Sequence, residues 1–111
     1  MKFACLTLCL LCWLIPGCVV PAWAGDLENG AQVFEVHCIG CHLNGGNIIR
    51  GGKNLKQKAL ERNGYGSSEA IAQIVTNGKA NMSAYKTRLT PAEIADVAAY
   101  VLQQAGQNWP H

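Results

Sequence analysis

The sequence has little charge and no marked basic excess. Among its 111 residues, 9 are lysine or arginine and 7 are aspartate or glutamate, and charged residues make up only 14% of the chain. A nucleic-acid-binding surface needs clustered basic side chains, which this balance does not favour. We therefore expect no nucleic-acid partner.

Long apolar runs are also scarce, and the longest lies at the start of the chain. It covers residues 3–15, which is shorter than the roughly 20 residues that a membrane-spanning helix needs. A helix-breaking Pro-Gly pair follows, and Ala-Trp-Ala at residues 22–24 is a small-x-small cleavage pattern. The sequence thus predicts a cleaved signal peptide at residues 1–24 and no stable membrane insertion. A lipid-anchored Cys18 is a weaker alternative.

Cysteine becomes rare once that segment is removed. Four of the six cysteines lie within residues 1–24, which leaves Cys38 and Cys41 in residues 25–111. One close pair is not a disulfide framework. A domain of this size often needs a disulfide, a metal or a cofactor to complete its core. We expect residues 25–111 to form a single domain around such a group.

No segment alternates as a β-strand would, so the predicted fold class is all-α. The last helix is the clearest, because Thr90 can cap it, Pro91 suits its first position and Glu93 completes a capping box. Gly106 is the predicted stop. The apolar residues of this segment recur at the helical period, at Ile94, Val97, Ala98, Val101 and Leu102.

Three earlier helices are predicted, namely Asp26 to the cysteines, Leu55 to Arg62, and Ser68 to Asn77 with Gly78 as its stop. In the first, Gly30 indicates that another element approaches closely, with Tyr100 or Val97 as the expected contact. The predicted inward faces are Leu27, Ala31, Phe34 and Cys38 on the first helix, and Ile71, Ile74 and Val75 on the third. The long Gly-rich loops are expected to wrap around a bound group.

The chemistry concentrates in Cys38, Cys41 and His42, for which three explanations compete. A structural zinc site needs four ligands, and only His37 and His111 remain to supply them. A redox dithiol normally comes with a βαβ pattern, which is missing. A covalent haem explains the spacing directly, since two thiols can bind its vinyl groups while the next histidine binds its iron.

A sixth iron ligand has few candidates. Met82 is the one methionine after the signal segment, and it lies in a loop before the last helix. A lone methionine commonly fills a core, but His/Met ligation is a usual arrangement for this cofactor. His37 is the competing candidate, although it would have to bend back past its own attachment site. We expect Met82 to be the ligand.

With these features, the chain resembles class I cytochrome c, and more narrowly the cytochrome c6 family of cyanobacteria and algae. The similarity lies in LENGAQVFEVHCIGCH, in KANMSAYKTRLTPAEIADVAAYVLQQA and in Trp109. It implies about four helices around one covalently bound haem c. It also implies a soluble, monomeric electron carrier, not an enzyme, between the cytochrome b6f complex and photosystem I or a terminal (cytochrome) oxidase, in the thylakoid lumen or the periplasm.

The resemblance also assigns roles to residues. Cys38 and Cys41 would form the thioether links, with His42 and Met82 as the axial ligands. Further matches are Asn47 and Lys53 beside the haem, Arg88 in docking, and Gly30, Phe34 and Tyr100 where the first and last helices cross. The alternative function is a haem peroxidase-like or small-ligand-sensing module whose Met82 can be displaced.

Three positions depart from the family pattern. Ile74 stands where the family usually has a glutamine beside the haem, and Ser83 replaces the proline that usually follows the methionine. Gly51 replaces a proline in the loop that faces the proximal histidine, where a backbone carbonyl can still accept the imidazole N–H. The resemblance implies that members without the amide have the lower potentials, so we expect a low-potential variant.

Overall fold

The computed structural model describes residues 25–111, and the predicted signal peptide and Cys18 lie outside this range. The described chain is helical. Its helices are α1 (Leu27–His37), the single turn α2 (Ile39–His42), α3 (Gln57–Arg62), α4 (Ser68–Asn77) and α5 (Pro91–Gly106), with short 3₁₀ turns at Leu43–Gly45 and Gly51–Lys53. In the part described, none of the helices is long and apolar enough to cross a membrane.

Side-chain caps fix the starts of the three longer helices. Thr90 and Glu93 form the predicted capping box of α5, with bonds of 3.0 and 3.1 Å. Asp26 accepts the Asn29 N–H at the start of α1, and Ser67 accepts the Ala70 N–H at the start of α4. These bonds satisfy backbone donors that lack a partner inside the helix. The predicted limits of α4 and the start of α5 are confirmed.

Two details of the predicted helices were wrong. Helix α3 begins at Gln57 and not at Leu55. The side-chain oxygen of Asn54 accepts the Lys56 N–H at 2.9 Å and holds these residues in a turn. On α1, Leu27 is 39% exposed, whereas the buried positions are Gly30, Val33 and Phe34. The inward face of α1 is therefore centred on Gly30.

Helix α1 crosses α5 at Gly30. A methyl group there would overlap the backbone of Asp96 and lie 2.8 Å from Cβ of Tyr100. Tyr100, one of the two predicted alternatives, is thus confirmed as a contact, and the Asp96 backbone is a further contact that was not predicted. The Asp96 carboxylate accepts the Asp26 N–H and the Asn29 side-chain N–H, both at 2.8 Å. These bonds hold the first turn of α1 on α5.

The C-terminal segment braces the loop that follows the cysteines. Trp109 is buried, its ring centre lies 5.2 Å from that of Phe34, and its Nε1 donates to the Leu55 carbonyl at 2.9 Å. Gly45 has a φ of +77°, and a Cβ there would lie 2.5 Å from the indole ring. Only glycine suits both the conformation and the space. The loop is therefore held against the helices at Trp109.

Candidate functional site

A cavity of about 370 Å³ lies between α1, α4, α5 and the loops that join them. This volume is within the range of cofactor and small-molecule sites. All six residues predicted to bind the cofactor line it, namely Cys38, Cys41, His42, Asn47, Lys53 and Met82. Most of its remaining wall is apolar and includes Phe34, Leu60, Ile71, Val97 and Val101.

The two thiols lie on the single turn that extends α1. Cys38 follows the last residue of α1 and is half-buried, whereas Cys41 is exposed, and both thiols are free. Burial raises the pKa of Cys38 to about 11, so this thiol is neutral at ordinary pH. The bonds from the Cys41 and His42 N–H groups to the Cys38 carbonyl, at 3.2 and 3.0 Å, fix the turn. The turn places Cys38, Cys41 and His42 along the same cavity.

The imidazole of His42 is oriented by a backbone carbonyl. Its Nδ1 lies 2.8 Å from the Gly46 oxygen. Because a carbonyl can only accept, Nδ1 carries the proton and Nε2 keeps a lone pair that is free to bind a metal. The family resemblance predicts an acceptor in the loop at Gly51. The observed acceptor is instead the carbonyl of Gly46, directly after the 3₁₀ turn Leu43–Gly45.

Met82 lies in a tight turn that also borders the cavity. The Met82 N–H donates to the Lys79 carbonyl, and the Lys79 N–H donates to the Met82 carbonyl, each at 3.0 Å. The side chain is half-buried and lines the cavity. A single thioether is therefore presented from a constrained backbone to the cavity that also receives the imidazole.

Asn47 organises the loop at the cavity mouth. Its side-chain oxygen accepts the N–H groups of Ile49 and Arg50 at 3.0 and 2.8 Å, and its amide donates to the Lys53 carbonyl at 3.1 Å. The Lys53 ammonium donates to the Asn63 side-chain oxygen at 3.0 Å. Asn47 thus shapes the loop, and Lys53 places a positive charge at the cavity.

Asn63 and Tyr85 are site residues that the sequence did not reveal. Asn63 lines the cavity, accepts from Lys53 and donates to the Gly52 carbonyl at 3.1 Å. Tyr85 lines the cavity and donates to the His37 carbonyl at 3.1 Å. Both contacts join distant segments, so no local motif indicates them.

The remaining predicted residues have different environments. Ile74 is half-buried and lines the cavity with Ile71 and Val75. His37 also lines it. Arg88 is exposed, and its guanidinium carbon lies 4.3 Å from the centre of the Tyr85 ring, so it belongs to the surface beside the Met82 loop.

Comparisons with known families, proteins and structures all match the chain to c-type cytochromes. Residues 25–101 match the family described as cytochrome C oxidase, cbb3-type, subunit III. The chain is 57% identical to a cytochrome c6-like protein of Nostoc sp. strain PCC 7120, over 97% of both chains.

Two solved structures share the fold. Cytochrome c6C from Synechococcus sp. PCC 7002 is 62% identical, with a TM-score of 0.71 over 73% of this chain and 99% of that one. Cytochrome c6 from the diatom Phaeodactylum tricornutum is 41% identical, with a TM-score of 0.75 over 77% of this chain and 100% of that one. The chain therefore belongs to the cytochrome c6 family, whose members are electron carriers with one covalently bound haem c, not enzymes.

Proposed function

We propose that this protein carries electrons through a haem c that is bound to Cys38 and Cys41 and ligated by His42 and Met82. The observation that carries the proposal is that two thiols, one imidazole and one thioether line the same cavity. Met82 is distant in sequence from the other three. A thioether among core side chains would not need to meet this set, whereas an axial ligand must.

The protein residues supply attachment, orientation and enclosure. When bound, haem c supplies an iron that accepts and releases a single electron. The Gly46 carbonyl fixes His42 so that Nε2 points away from its hydrogen bond. Met82 would hold the group together with His42, and a group bound by both residues would have no position for a substrate. The turn at Lys79 constrains the backbone that carries the thioether.

We further propose that electrons pass from the cytochrome b6f complex to photosystem I or a terminal oxidase, in the thylakoid lumen or the periplasm. The similarity to cytochromes c6 supports this assignment, as does the expected signal peptide at residues 1–24. The exposed residues Lys79, Lys86 and Arg88 provide positive charge beside the Met82 loop. Such local charge steers a partner more than the nearly balanced net charge does.

The test of the ligand assignment is the spectrum of the oxidised protein. The wild type should show the far-red band of sulfur-to-iron charge transfer, and Met82→Ala should lose it, have a lower potential and bind cyanide or carbon monoxide readily. Ser83→Ala is the matched control, since Ser83 is the exposed neighbour in the same loop and should keep the band. If the band survives in Met82→Ala, its sulfur does not come from Met82 and the proposal fails. A wild type without the band would instead indicate a ligand without sulfur, such as His37.

A further inference from the structure

Tyr85 joins the Met82 loop to the end of α1. Its hydroxyl donates to the His37 carbonyl at 3.1 Å, across 48 residues of sequence. His37 is the last residue of α1 and directly precedes Cys38. The carbonyls of the last helical turn lack helical partners, so a side-chain donor is stabilising there. One hydroxyl thus connects the segment that carries the first thiol to the segment that carries the thioether.

The backbone of Tyr85 is fixed as well. Its N–H donates to the Val75 carbonyl near the end of α4 at 2.9 Å, and its own carbonyl accepts from Arg88 and Leu89 at 2.9 and 2.8 Å. On the other side, Met82 is bonded to Lys79. The residues between Met82 and Tyr85 therefore form a short span that is held at both ends.

The aromatic ring of Tyr85 has contacts that do not depend on its hydroxyl. The His37 ring meets it edge-on, with 6.0 Å between ring centres, and the Arg88 guanidinium lies over it at 4.3 Å. Phenylalanine would preserve both contacts. Replacement of Tyr85 by phenylalanine consequently removes one hydrogen bond and leaves the packing in place.

We propose that Tyr85 is a positioning residue whose hydroxyl keeps the Met82 loop closed against α1 and so keeps the thioether at the iron. This inference rests on the proposed Met82 ligation. An external ligand such as imidazole can bind only when Met82 has moved away, so its apparent affinity is proportional to the open fraction of the loop. Loss of the Tyr85 hydroxyl raises that fraction.

The experiment is an imidazole titration of the oxidised holoprotein, followed by the loss of the far-red band. Tyr85→Phe should bind imidazole about three- to tenfold more tightly than the wild type, which is the range expected for one neutral hydrogen bond. Tyr100→Phe is the matched control and should stay within about twofold, below that hydrogen-bond range. Tyr100 is also half-buried, but its ring packs against Phe34 and Trp109 where α1 crosses α5.

A second measurement separates positioning from general stability. On heating, the far-red band of Tyr85→Phe should disappear at a lower temperature than its helical circular dichroism, and the gap between the two temperatures should exceed that of Tyr100→Phe. Equal imidazole affinity in the two variants overturns the role of Tyr85, even if Tyr85→Phe unfolds at a lower temperature. A wild type without the far-red band would instead refute the Met82 ligation on which the inference rests.

Discussion

Ile74 differs from the family pattern at a position where a single side chain can alter the haem environment. It is half-buried, lines the cavity and belongs to the same face of α4 as Ile71 and Val75. An amide at this place can polarise the surroundings of the haem and the methionine sulfur, whereas a hydrocarbon cannot. The resemblance to the family indicates that forms without the amide have the lower potentials.

Ile74→Gln should therefore raise the midpoint potential. A new polar interaction of about 1–1.5 kcal/mol corresponds to a rise of roughly 40–65 mV for a one-electron couple. Redox titration of the holoprotein measures it, with the far-red band as the check that ligation is unchanged. Ile74→Leu is the control for volume and should leave the potential near the wild-type value. An unchanged or lower potential in Ile74→Gln would show that residue 74 does not set the redox poise.

The sequence predicts a role most readily for residues whose role would depend on chemistry and not on distant contacts. Cys38, Cys41 and His42 lie close together in sequence, and Met82 is predicted because it is the one methionine after residue 24. All four line one cavity. Asn63 and Tyr85 were missed because their partners, the Lys53 ammonium and the His37 carbonyl, are defined only by the tertiary structure.

At the scale of the helices, the caps were predictable and the packing faces were less so. Ser, Thr and Asp caps act on the N–H groups of their own helix, so local sequence contains the whole signal. The burial of α1 depends on the element that it meets. Because α5 passes over Gly30, the buried face lies next to that residue and Leu27 is left partly exposed.

The crossing of α1 and α5 gives a prediction for Gly30→Ala. Alanine should favour an isolated helix by about 1 kcal/mol, but its methyl group would overlap the Asp96 backbone and crowd Tyr100. The Asp96 backbone cannot move aside as a flexible side chain could. We therefore expect Gly30→Ala to lower the free energy of unfolding by about 2–3 kcal/mol net. Chemical denaturation measures it.

Gly106→Ala is the control for that change. Gly106 is also helical, and a Cβ there would meet nothing within 4 Å. This variant should be as stable as the wild type or slightly more stable. If both alanine variants behave alike, the close approach at Gly30 does not limit the packing of the two helices.

At the scale of the whole molecule, the cavity is bordered by the hydrophobic core. Its volume is about 370 Å³, and its wall includes the buried residues Phe34, Ile71, Val75, Val97 and Val101. Side chains that line an unfilled space lose packing contacts on that side, and the entire stability of a domain is only about 5–15 kcal/mol. We therefore expect folding and haem binding to be coupled in this chain.

The double variant Cys38→Ser/Cys41→Ser tests that coupling. It should be exported but should retain no haem through acid-acetone extraction, since both thioether links are removed. Without bound haem it should also lose most of its helical circular dichroism and its cooperative thermal transition. Covalent haem in the double variant would contradict the attachment sites, and a cooperatively folded haem-free chain would contradict the coupling.

The charges of the described chain are separated in space. All eight basic residues lie in two segments, 50–62 and 79–88, and Arg50, Lys53 and Lys79 line the cavity. Four of the seven acidic residues lie in or next to the first turns of α1 and α5, at Asp26, Glu28, Glu93 and Asp96. The opening of the cavity is therefore the more positive part of a nearly neutral molecule.

This separation predicts opposite salt effects for oppositely charged redox reagents. Oxidation by the anion ferricyanide should slow as ionic strength rises, and oxidation by a cationic cobalt phenanthroline complex should not. Stopped-flow kinetics measure both rates. Arg50→Gln should weaken the salt dependence with ferricyanide, whereas Glu28→Gln, at the start of α1, should leave it nearly unchanged. Equal salt slopes for the two reagents would rule out local steering.

The contact of Gly30 with Asp96 and Tyr100 also joins helices from the two ends of the described chain. Helix α1 cannot pack in this way until α5 lies beside it, so we expect Cys38 and Cys41 to belong to an open chain until then. The thiol that the folded protein half-buries would consequently be accessible to haem attachment before the last helix closes the structure.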